Sequence, residues 1–86
     1  MERDVLVSYL DEYLRVREIE DKSQNGLQVE GPSALRNVAF AVDSSLAAFE
    51  RAVEIGAQLL IVHHGLFWGH GLRLVGPHFA RVRTLI

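Results

Sequence analysis

The chain has 86 residues, 49% of them hydrophobic and 23% charged, a globular mix that excludes intrinsic disorder and allows one small core. A net charge of −2 excludes a general electrostatic attraction to nucleic acid or anionic membrane. Without cysteine there can be no disulfide, thiolate zinc site or cysteine nucleophile, so any metal must be held by His, Asp or Glu.

Charge is unevenly spread. Residues 1–30 are acidic, with Glu2, Asp4, Asp11, Glu12, Glu18, Glu20, Asp21 and Glu30 against Arg3, Arg15, Arg17 and Lys22. From Gly31 onward arginine prevails, and the histidines lie at positions 63, 64, 70 and 78, which directs the search for chemistry to the second half. The N-terminus opens on Glu2, Arg3 and Asp4 with no apolar targeting core, and the run Leu59 to Val62 is far too short to span a bilayer, so a cytoplasmic location is expected.

In chain order, Val5, Leu6, Tyr9, Leu10, Tyr13 and Leu14 recur at helical spacing, with Glu2, Arg3, Ser8, Asp11 and Glu12 on the other side. This predicts an amphipathic helix from Arg3 to Leu14. A polar loop follows, ending at Asn25-Gly26, a pair suited to tight turns, and Leu27-Gln28-Val29 reads as a short strand. After Gly31-Pro32, the apolar run Val38 to Val42 predicts a strand covered on both faces. Asp43, Ser44 and Ser45 all suit a helix N-cap, and Leu46, Phe49, Ala52 and Val53 carry a helix over Ser45 to Ile55 that stops at Gly56. Leu59 to Val62 is a second apolar strand, and the resulting βαβ unit calls for two parallel strands. Beyond the glycine-rich stretch 63–76, Pro77 opens a final helix carrying Phe79, Val82, Leu85 and Ile86. The fold class is α/β, with a partial, mostly parallel sheet. Two or three strands with three helices leave apolar edge and face uncovered, so residues 1–86 are expected to be an incomplete, N-terminal part of a larger domain.

Ligands of open α/β sheets bind beyond the carboxyl ends of the strands. The first strand delivers Asp43 there and the second delivers His63 and His64. By spacing alone the histidines read either as ligands of a close metal pair or as hydrogen-bonded rim residues, and Asp43 reads more readily as an N-cap than as a ligand. His70 and His78 are expected to be solvated, and Phe67 and Trp68 to pack at the rim without forming a base-stacking platform. There is no GxxxxGK[ST] phosphate loop, and the turn Asp43-Ser44-Ser45 contains no glycine, which argues against a nucleotide-loop enzyme.

Taken together, Asn25-Gly26-Leu27-Gln28-Val29-Glu30-Gly31, Val42-Asp43-Ser44-Ser45, Gly56-Ala57 and Leu60-Ile61-Val62-His63-His64-Gly65-Leu66-Phe67-Trp68 resemble the YbgI-like dinuclear metal-centre family, the GTP cyclohydrolase 1 type 2 homologues. The resemblance covers nearly all of the chain. It implies that His63 and His64 each bind one of two divalent metal ions, with zinc, iron, manganese and nickel all compatible with the donors, and it assigns no catalytic residue in this segment. The remaining ligands, an aspartate after the next strand and a His/Glu pair near the far C-terminus, would lie beyond Ile86. By the same resemblance, this chain is the first lobe of a two-lobe fold that assembles into a hexameric ring around an inner cavity. The implied activity is metal-dependent hydrolysis of a small, nucleotide-like substrate. The alternative is a metal-stabilised, ring-forming scaffold or regulatory binding protein without turnover.

Overall fold

The computed structural model describes residues 1–18, 20, 24–69 and 73–86. Its elements are α1 (Arg3–Tyr13), β1 (Val38–Asp43), α2 (Leu46–Glu54), β2 (Leu59–His64) and α3 (Pro77–Leu85).

The centre of the fold is the βαβ unit. β1 and β2 pair in parallel, with Val38 opposite Leu59, Phe40 opposite Ile61 and Asp43 opposite His64. Gln58 sets where this pairing begins: its Oε1 accepts from the Arg36 and Asn37 amides at 3.0 and 2.8 Å, while its own amide donates to Asn37 O. The crossover helix α2 starts at Ser45, whose hydroxyl accepts from the Ala48 amide at 3.1 Å, and ends before Gly56 at φ 72°, a left-handed conformation open to glycine at no steric cost. α3 begins with Pro77 in its first turn and packs on α2. Phe49, Leu66 and Val82 form the buried core, joined by the partly buried Val29, Leu60, Phe67 and Leu85.

Four expectations are corrected. Leu27–Val29 is not a strand; among the described residues the sheet has two strands, and Gln28 instead accepts from the Leu66 amide through its side chain. β1 is not covered on both faces: Phe40 and Val42 are 76% and 63% exposed, with no described element over them. The apolar stripe of α1 is also split. Leu6, Val7 and Leu10 turn inward, whereas Val5, Tyr9 and Tyr13, spaced four apart on another face, stay exposed with the two tyrosine rings stacked at 5.9 Å.

Arg3, expected on the polar side, is buried. Its amide donates to Ser33 O, its guanidinium donates to Gly31 O, and it pairs with Asp4 and Glu30 at 3.0 and 3.2 Å. The Asp4 hydrogen bond, aided by the charges of Asp4, Glu30 and Glu2, raises the Arg3 pKa against the opposing effect of burial. Together with the Glu2–Ala34 antiparallel bridge, these contacts tie the start of α1 to residues 31–35.

Candidate metal centre

Parallel pairing brings the last residues of β1 and β2 side by side at the carboxyl edge of the sheet. There Asp43 Oδ1 lies 2.8 Å from His64 Nδ1, with both side chains substantially exposed. The His63 ring stands 4.4 Å from that of His64, centroid to centroid, inclined at 52°. Neighbouring strand residues normally face opposite sides, yet at the end of β2 the two imidazole rings stand close together. The sequence-derived pair and Asp43 therefore come together. Asp43 does not cap α2, because Ser45 does.

Two further side chains hold this edge. Ser44, itself buried, donates from its hydroxyl to His64 O at 2.7 Å, and Arg81 on α3 donates to Ser44 O at 3.1 Å. The backbone of His64 is thus bound to the turn after β1, and that turn to α3.

The segment after the histidines is held by Gln28. Its Oε1 accepts from the Leu66 and Phe67 amides at 2.8 and 3.3 Å, and its Nε2 donates to Gln24 O and Phe67 O at 2.7 and 3.2 Å. Gly65 permits the approach, since a Cβ there would lie 2.6 Å from both terminal atoms of the Gln28 carboxamide. Trp68 donates from Nε1 to Gly65 O at 2.8 Å, and its ring lies 6.4 Å from that of His64. Trp68 is half-exposed at the rim, as expected, whereas Phe67 packs against the core. A cavity of about 450 Å³ lies between α1, residues 24–32 and β2, and His63 is part of its lining.

Sequence reasoning missed Gln28, Ser44 and Arg81 as site-shaping residues. A polar Gln between Leu27 and Val29 was the available signal for Gln28; Ser44 and Arg81 act through backbone carbonyls and left none. His78 was expected in solvent, but it is half-buried and its Nδ1 contacts the Arg81 guanidinium. His70 lies outside the described residues.

The donor chemistry suits divalent cations: two adjacent, accessible imidazoles, one with its second nitrogen held by a carboxylate, as is usual for metal-binding histidine. Among the described residues no group of three or more His, Cys, Asp or Glu is placed to hold a metal alone. A cation held at this edge would therefore need ligands beyond these two histidines.

The model of Duf34/NIF3 (NGG1p interacting factor 3) matches residues 1–86. The chain belongs to the Duf34/NIF3 family. A family relative from Deinococcus radiodurans, named GTP cyclohydrolase 1 type 2 homolog, is 54% identical over 84 residues, 98% of this chain and 32% of the relative. The crystal structure of TTHA1606 from Thermus thermophilus superposes with a TM-score of 0.95 at 52% identity, covering 99% of this chain and 36% of that one. The structure of protein ybgI, described as of unknown function, superposes at 0.93 with 37% identity, covering 100% of this chain and 35% of that one. The chain thus spans about a third of the length of the Duf34/NIF3 proteins it matches. Its α/β arrangement agrees with one lobe of a larger fold. No helix among the described residues is long and apolar enough to cross a membrane.

Proposed function

We propose that this Duf34/NIF3 chain contributes His63 and His64 to a dinuclear divalent-metal centre of a hydrolase acting on a nucleotide-like substrate. The observation that carries this reading is the pair of adjacent imidazoles at the carboxyl edge of the parallel strands, with His64 held by Asp43. The name GTP cyclohydrolase 1 type 2 homolog, borne by the Deinococcus radiodurans relative, supports the substrate class.

Each histidine would bind one cation, and zinc, iron, manganese and nickel all accept imidazole nitrogen with carboxylate oxygen. The chemistry that two divalent cations supply is activation of water and neutralisation of charge on an oxygen-rich substrate. The chain's own part is positional. Ser44 fixes the backbone of His64, Gln28 fixes the segment that follows, and Trp68 stands beside the His64 ring. In this reading the protein works in the cytoplasm and the centre is completed by ligands from outside residues 1–86.

A second reading, a metal-stabilised ring such as a homohexamer without turnover, is favoured by one observation. Phe40, Val42, Val5, Tyr9 and Tyr13 leave apolar surface open that further lobes or copies would cover.

The test is elemental analysis of the natural full-length protein. His63→Ala and His64→Ala should each lower bound divalent metal from about two equivalents per chain to about one or fewer, the stoichiometry of a two-metal site that has lost a ligand. GTP hydrolysis should fall with the metal if the protein turns over, whereas a scaffold loses metal and thermal stability only. Full metal content in both variants would make the pair ordinary rim residues and end this reading.

A further inference from the structure

We propose that Asp43 is a positioning residue that commits His64 to bind its cation through Nε2, and is not itself a metal ligand. The inference rests on the metal-centre reading above and adds to it the choice of nitrogen and the residue that makes that choice.

The juxtaposition is built into the sheet. Asp43 and His64 are register partners at the ends of β1 and β2, so the strand pairing itself sets the two side chains next to each other. The backbone on both sides is held: the Ser44 hydroxyl donates to His64 O, and Arg81 donates to Ser44 O. Asp43 Oδ1 therefore meets His64 Nδ1 at 2.8 Å, the separation of a charge-assisted hydrogen bond. An ionised carboxylate can only accept, so in the neutral imidazole the proton sits on Nδ1 and the lone pair available to a cation sits on Nε2.

The same distance argues against Asp43 as a ligand sharing a metal with Nδ1. Two ligands of one tetrahedral ion, each 2.0–2.1 Å from it, stand about 3.3 Å apart. At 2.8 Å the oxygen and nitrogen are placed to share a proton instead. Among the described residues the His63 ring nitrogens have no comparable carboxylate, and the ring meets His64 at 4.4 Å. The two histidines thus differ: the His64 ring is held by Asp43 within the chain, and among the described residues the His63 ring meets no such carboxylate.

Two measurements on the full-length protein test this. In metal-free wild type, long-range proton–nitrogen correlation spectra of the imidazoles should show His64 with its proton on Nδ1; in Asp43→Ala that preference should be lost, and Asp43→Asn, which keeps an acceptor oxygen, should retain part of it. Zinc affinity, read by competition with a chromophoric chelator, should weaken about 10–100-fold in Asp43→Ala, the usual cost of losing an outer-shell partner, and by less in Asp43→Asn. A wild-type His64 protonated on Nε2 overturns the inference regardless of metal binding, and needs no variant to fold. It is also overturned if Asp43→Ala loses its site as completely as His64→Ala, which would make Asp43 a ligand, or if Asp43→Ala binds as wild type does. Failure of the underlying reading looks different, because His64→Ala would itself bind zinc at wild-type affinity.

Discussion

Replacing Gly65 by alanine tests how the segment after the histidines is held. Gly65 is not among the glycines with positive φ, so alanine meets no backbone strain there; its Cβ would instead lie 2.6 Å from Gln28 Oε1 and Nε2 and 2.8 Å from Cδ. A free glutamine tip would swing aside cheaply. This one is held by four hydrogen bonds, two accepted from the Leu66 and Phe67 amides and two donated to Gln24 O and Phe67 O. At about 1 kcal/mol for each well-formed bond, and less for the two beyond 3.1 Å, displacing the carboxamide costs about 2–3 kcal/mol. Gln28→Ala should cost the same, because it strands the same amides. In the double variant the new methyl group enters space that Gln28 has left, so the combined cost should be about 2 kcal/mol smaller than the sum of the single costs. Urea unfolding of the full-length protein with chelator present measures this without a contribution from bound metal, provided the slope m stays constant. Additivity within about 0.5 kcal/mol, or a Gly65→Ala variant as stable as wild type, would refute the idea that the Gln28 carboxamide fixes this segment.

Two further outcomes are expected. Ser45→Ala should lower stability by about 1 kcal/mol through loss of the cap on α2, whereas Asp43→Ala should not unravel that helix end; a larger loss of α2 amide protection in Asp43→Ala than in Ser45→Ala by hydrogen exchange would contradict the capping assignment. His78→Ala should leave metal content at the wild-type level in elemental analysis, since its ring contacts Arg81 on α3 and takes no part in the His63–His64 pair, and loss of an equivalent would place His78 in the coordination sphere.

Local pattern was enough to read the helices, the two strands and the pair of histidines from the chain alone. Apolar runs bounded by Gln58, Gly56 and the Asp43-Ser44-Ser45 turn define a βαβ unit, because short connections around a capped helix leave parallel pairing as the economical arrangement. Once the strands are parallel, Asp43, His63 and His64 must arrive at one edge. Alternation and helical period do not, however, say which of two candidate faces is covered. The outward turn of Tyr9 and Tyr13, the burial of Arg3 and the exposure of Phe40 and Val42 depend on what packs against each element, and that is settled by contacts distant in sequence. The same holds for Gln28, which looks like part of a strand until its partners, 38 and 39 residues away, are seen to be the amides of Leu66 and Phe67. Asp43 shows the division most clearly. Its sequence neighbourhood is that of a helix cap, and only the register between β1 and β2 turns it away from α2 and onto His64, because a hydrogen bond across strands depends on pairing that no local window contains.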